Sequence, residues 1–249
     1  MEQTADQEGS YELNHLSWPE VRLLLERDPR LILPVGALDH HGPHLPLGAN
    51  TLLAEHVARA LSARLRIVVA PTFHYGLTKP DWTPYPGTST LRRKTFHRAI
   101  NELLASWDDH GITEVIIITA QRYEPHLESL LTALTNRSTT QVVDLMTIEV
   151  GDLVEGRPER ERGGELETSL LLHLAPELVR LDKVVDYTEH LRSPGKYVEG
   201  RVSSPRPDFQ GVVGRPSLAT AEKGEIVFKR YLAVLERELR QPARPDDGS

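Results

Sequence analysis

The chain contains no cysteine. That excludes disulfides, thiolate metal ligands and a cysteine nucleophile. No apolar run approaches the roughly 20 residues needed to span a bilayer, so no membrane partner is expected. The opening stretch, MEQTADQEGSYELNHL, is acidic and polar, the wrong chemistry for a secretory signal. A cytoplasmic protein is the expectation. Lysine is scarce too: 6 residues, against 23 arginines. The net charge of -7 argues against nucleic acid as a partner, because phosphate neutralisation needs clustered cations. A glycine-rich phosphate loop is missing, and so is the G-x-S-x-G elbow of serine hydrolases.

What is present is enough apolar material for a core. Hydrophobic residues make up 39% of 249 positions and charged residues 26%. Residues 1–12 and 241–249 read as frayed tails around a single domain over 13–240. Ser17, with Pro19 close behind, marks a helix start running to about Arg27. Strands are expected at 31–36, 67–73, 114–119 and 141–148. Helices are expected at 51–65, 94–110, 126–134, 165–174 and 222–240. Residues 76–90 and 151–164 read as long loops. Continuous apolar strands alternating with helices imply an α/β fold. The expectation is a three-layer α/β/α sandwich with a mostly parallel central sheet. In such sheets, sites lie beyond the carboxyl ends of the strands.

Three polar clusters follow strands or open helices. The first is Asp39, His40, His41 and His44, with Asn50 further on. Imidazole and carboxylate are the usual ligands of zinc or manganese, although a solvent-facing turn would show the same spacing. The second is Gln121, Arg122, Tyr123, Glu124 and His126, where Glu124 also suits a helix N-terminus. The third runs from Arg162 through Glu165 and Glu167. His74, at a strand end, is a candidate for the same mouth. Trp82 and Tyr85 are candidates for an aromatic wall over a small-molecule substrate.

Together these stretches resemble the creatininase family. LPVGALDHHGPHLPLGAN (33–50) is similar to its first metal-binding motif, and YPGTSTL (85–91) to its PGT loop. GGELETSLLLHLAPELVR (163–180) and GVVGRPSLATAEKGE (211–225) resemble its two later motifs. The resemblance implies an amidohydrolase acting on a cyclic or linear amide C–N bond, and a homo-oligomer, hexameric as family members often are. It also implies two divalent metals holding a water. The metal-binding Glu falls on Asp39, the His on His41 and the bridging Asp on Asn50. The next His and Glu fall on Gln121 and Tyr123 without a gap, or on Arg122 and Glu124 with one extra residue. The second alignment is preferred because Arg-Tyr-Glu mirrors His-Tyr-Glu. The proton-shuttling His falls on Arg162, which cannot act as a base at ordinary pH.

The expected metal set is therefore Asp39, His41, Asn50 and Glu124, for at most one zinc or manganese. The expected catalytic set is Asp39, His40, Glu124, Arg162 and Glu167. His44, His74, Trp82, Arg122 and Tyr123 are the expected substrate contacts. A metal-free enzyme of changed chemistry and a non-catalytic binding protein stand as alternatives.

Overall fold

The computed structural model describes residues 9–133, 138–156, 158, 161–188 and 210–240. Its centre is a sheet in the order β2-β1-β3-β4, with β1 at Arg30–Val35, β2 at Val68–Val69, β3 at Glu114–Thr119 and β4 at Thr139–Asp144. Every pairing is parallel. β1 and β3 share a six-residue register, from Arg30 opposite Glu114 to Val35 opposite Thr119.

The alternation of side chains along β1 and β3 builds a layer on each face of the sheet. Ile32, Ile116 and Ile118 face one core with α2 (Ala49–Leu65), α5 (Glu165–Leu174) and α6 (Ala221–Leu239). Leu31, Leu33, Val115 and Ile117 face the other. There they meet Phe96, Ile100 and Leu104 of α3 (Arg93–Asp108) and Leu130 of α4 (Glu124–Leu131). With both faces covered, β3 has no exposed residue, and this is why its sequence reads as one apolar run. The three-layer α/β/α arrangement is the one expected. No helix among the described residues is long and apolar enough to cross a membrane.

Local chemistry sets the ends of the elements. α1 (Trp18–Arg27) starts at the predicted Ser17, whose backbone N–H donates to Glu20 Oε2 at 2.7 Å in a capping box. β2 is much shorter than the expected 67–73. Pro71 has no N–H for the ladder, and pairing resumes only where Phe73 bridges Val35. β4 ends at Asp144, whose side chain accepts from the Met146 N–H at 3.0 Å and turns the chain.

Residues 9–12, within the stretch expected as a tail, are among those described. Val69 N–H donates to Tyr11 O at 2.9 Å, and Tyr11 N–H donates to Ser62 Oγ at 2.9 Å, tying this segment to the sheet edge. The tail expected at 241–249 lies outside the described residues.

Candidate functional site

β1 delivers Gly36 and then Asp39, His40 and His41 to the carboxyl edge of the sheet. Gly36 is needed there, since a Cβ would lie 2.0 Å from Thr51 Oγ1 of α2. β3 delivers Gln121 beside them. The segment leading into α5 brings Arg162, and the first turn of α5 brings Glu167. Arg162 is pinned by a reciprocal backbone pair with Val213, both hydrogen bonds 2.8 Å.

Asp39 is wholly buried. Its Oδ1 meets Arg162 Nη2 at 2.8 Å and His41 Nε2 at 3.1 Å. Its Oδ2 accepts from Thr78 Oγ1 at 2.7 Å and Gln121 Nε2 at 2.8 Å. Burial alone would raise its pKa. The His41 hydrogen bond, the Arg162 charge and Thr78 outweigh burial and hold the carboxyl far below the usual range.

His41 is sandwiched between two carboxylates. Its Nδ1 lies 2.7 Å from Glu167 Oε2, while Nε2 faces Asp39. Burial and Arg162 favour the neutral ring, but Glu167 and Asp39 prevail and raise the pKa. A carboxylate at each nitrogen favours the doubly protonated ring, which can donate to both. Burial opposes ionisation of Glu167 as well. His41, Arg162 and the Gly163 N–H nevertheless bring its pKa down to about 2. That N–H reaches Glu167 Oε2 at 2.8 Å from a glycine at φ +56°, where a Cβ would sit 2.4 Å from His41 O. No side chain fits there.

The result is a closed, buried ring of charge. Asp39 and Glu167 are balanced by His41 and Arg162. The guanidinium of Arg162 also donates through Nε to His40 O at 2.9 Å and through Nη2 to the same oxygen. Its Cζ lies over Trp82, 3.4 Å from the ring centroid. Its Nη1 is the edge left over.

The ring opens on a cleft of about 240 Å³ lined by Asn50, Lys79, Trp82, Gln121, Arg122, Arg162, Glu161 and Glu167. Asn50 Nδ2 donates to Gln121 Oε1 at 2.6 Å, while its buried Oδ1 has no hydrogen-bond partner. The Lys79 ammonium lies 4.7 Å from the Trp82 centroid. Burial and Arg162 lower its pKa. Arg122 reaches the cleft wall, where it donates to Met146 O at 3.1 Å and to Pro158 O.

Burial pushes three further histidines, His40, His44 and His126, towards the neutral form. His40 stacks on Tyr85 at 3.8 Å, and burial followed by the Arg162 charge lowers its pKa to about 3. His44 Nε2 pairs with Thr168 Oγ1 at 3.0 Å, and burial depresses its pKa. His126 sits between the Leu77 N–H and Thr119 Oγ1, with a pKa lowered by burial to about 3.

Three expected residues fall elsewhere. Glu124 is exposed in the first turn of α4, where its charge favours the helix N-terminus. Tyr123 packs against the α3–α4 core. His74 is exposed and lines a separate depression with Glu12, Asn14 and Arg59. Gln121 is the residue of this segment that lies beside Asp39 and Asn50. β3 ends at Thr119, so the residue two steps on points into the site before the chain turns into α4.

These donors do not fit a pair of metals. Among the described residues, no group of three or more His, Asp or Glu side chains is placed to share a cation. Both His41 nitrogens and Asp39 Oδ1 are already committed, and Arg162 supplies the charge. The carboxamides of Asn50 and Gln121 bring no charge to offset two cations.

The family model described as creatinine amidohydrolase matches residues 14–239. Creatinine amidohydrolase of Pseudomonas putida is 27% identical over 94% of this chain and 97% of its own. A mycofactocin precursor peptide peptidase of Mycolicibacterium smegmatis is 27% identical over 80% of each chain. A 3-dehydro-scyllo-inosose hydrolase of Thermotoga maritima is 23% identical over 90% of this chain and 81% of its own. A solved creatininase superposes with a TM-score of 0.80 at 24% identity, covering 95% of this chain and 99% of that one. A zinc–zinc form of a creatininase variant gives 0.80 at 25% identity, again over 95% and 99%.

Proposed function

Since the chain belongs to the creatininase family, we propose that it hydrolyses the C–N bond of a small cyclic or linear amide, with the carbonyl polarised by Arg162 instead of a metal pair. The observation that carries this is the buried ring of Asp39, His41, Glu167 and Arg162, which opens on a small polar cleft.

A fixed guanidinium in a dry site stabilises developing negative charge on a carbonyl oxygen without having to reorganise. Arg162 Nη1 is the edge free for that contact. The Oε2 of Glu167 is held by His41 and Gly163, leaving Oε1 to hold the attacking water. Asp39 and His41 keep the guanidinium and Glu167 in place. They are positioning residues, since both are wholly buried behind the cleft. The open Oδ1 of Asn50 receives the substrate's N–H.

The test is amine or ammonia release from a panel of cyclic and linear amides, with and without added manganese and zinc. The wild type should turn over at least one amide without added metal. Arg162→Met should lose roughly 10²- to 10³-fold in turnover, the usual cost of removing a main oxyanion donor. Absence of release from every amide under every condition would sink the proposal.

A further inference from the structure

The charges around the cleft do not cancel. Its lining carries three cations, Lys79, Arg122 and Arg162, against two carboxylates, Glu161 and Glu167. The two carboxylates nearest Arg162 are already engaged by His41 and by backbone or side-chain donors. Arg122 donates to the carbonyls of Pro158 and Met146 and has the Asp144 carboxylate acting on its charge. The Lys79 ammonium stands over an indole that Arg162 also covers, with the charges of Asp81 and Asp39 acting on it but no ion pair to either. Two cations therefore meet on one aromatic ring, beside a buried acceptor, Asn50 Oδ1, that lacks a donor. An excess cation and an unmet acceptor lining the same small cleft describe a ligand with two poles.

We propose that the substrate carries a carboxylate as well as its amide. The carboxylate docks on Lys79 beside Trp82, the Nη1 edge of Arg162 stays with the amide carbonyl, and the amide N–H is given to Asn50 Oδ1. This rests on the amide-hydrolase proposal and narrows it to small carboxy-amides. Lys79 is then a specificity residue, held as an ammonium by the bound anion. The bound carboxylate would offset the burial and Arg162 repulsion that otherwise disfavour its charge. The contact is charge-assisted and partly solvated, so it weakens as salt rises.

The test uses malonamate, succinamate and glutaramate against the matched neutral diamides, with binding read by ligand-observed NMR on the full chain. Ammonia release is measured in the same samples. At least one carboxy-amide should bind ten times or more tighter than its diamide and lose affinity when salt is raised. Lys79→Met should abolish that preference, roughly tenfold, while leaving diamide binding unchanged. Asn50→Leu should weaken carboxy-amides but not the corresponding dicarboxylates. Equal binding of acids and diamides, an unaffected Lys79→Met, or no binding by any of the three carboxy-amides overturns the proposal. Binding without ammonia release leaves the docking intact and counts against hydrolysis. Hydrolysis of diamides with no preference for acids does the reverse.

Discussion

Replacing Arg162 with methionine should expose how much the charge ring depends on its guanidinium. The side chain of Arg162 is 10% exposed and that of Asp39 is 0% exposed, so the pair is barely screened. Methionine keeps much of the stem and its contact with Trp82, but removes the 2.8 Å contact to Asp39 and both donors to His40 O. Breaking a buried pair by removing one partner costs about 3–5 kcal/mol. Asp39 retains His41, Thr78 and Gln121 as donors, which points to the lower end, about 3 kcal/mol. For a chain of this length each kcal/mol moves Tm by about 2–4 °C, so a fall of about 6–12 °C is expected. The assay is thermal and urea unfolding at pH 6, with Asp39→Asn and the double variant completing a cycle. The double variant should be less destabilised than the sum of the single variants by about 2 kcal/mol or more, since the orphaned charge is gone. A loss below about 0.5 kcal/mol, or simple additivity, would refute the reasoning.

Gly163→Ala forces a side chain into φ +56° and against His41 O, so a loss of about 1–3 kcal/mol is expected in urea unfolding, with the Glu167 contact weakened. Glu124→Gln and His74→Ala lie outside the cleft and should leave amide turnover within about twofold and stability within about 0.5 kcal/mol; a hundredfold loss in either would restore them to the site. Acid should unfold the site through its carboxylates. Glu167 falls from 4.5 unfolded to about 2 folded, so its stabilisation is present above 4.5 and is lost as pH drops through about 2. Asp39 acts in the same direction. His41 moves the other way: raised above 6.5, its contribution is full below 6.5 and disappears as pH climbs through its folded value. Urea midpoints should therefore be highest between about 4.5 and 6.5 and fall on both sides. A midpoint in Glu167→Gln that keeps the wild-type acid limb would contradict this.

Much of the fold was legible because it follows from local patterns. Val115, Ile116, Ile117 and Ile118 announce a strand covered on both faces, and Ser17 with Glu20 announces a helix start. The strand at 67–73 was over-extended because apolar composition hides the missing donor of Pro71. The strand at 141–148 was over-extended because the Asp144 side chain, not a change in hydrophobicity, stops it. In the site, Asp39, His41, Arg162 and Glu167 were visible as polar residues at element ends. Their mutual pairing was not visible, since it joins segments that meet only through the sheet and α5. The placement of Gln121 rather than Arg122 turned on side-chain direction at the end of β3, which spacing alone cannot give. Lys79 was missed because its loop reads as turn chemistry. The one local hint was an aromatic three residues on, at Trp82.

If Arg162 and His41 balance Asp39 and Glu167, the site has no role for a metal pair. Elemental analysis of the purified chain after incubation with zinc and with manganese tests this most directly, with Tm measured before and after a chelator. Metal well below one equivalent per chain and an unchanged Tm are the expected result. One or more equivalents retained through gel filtration, with a Tm that falls on chelation, would contradict it.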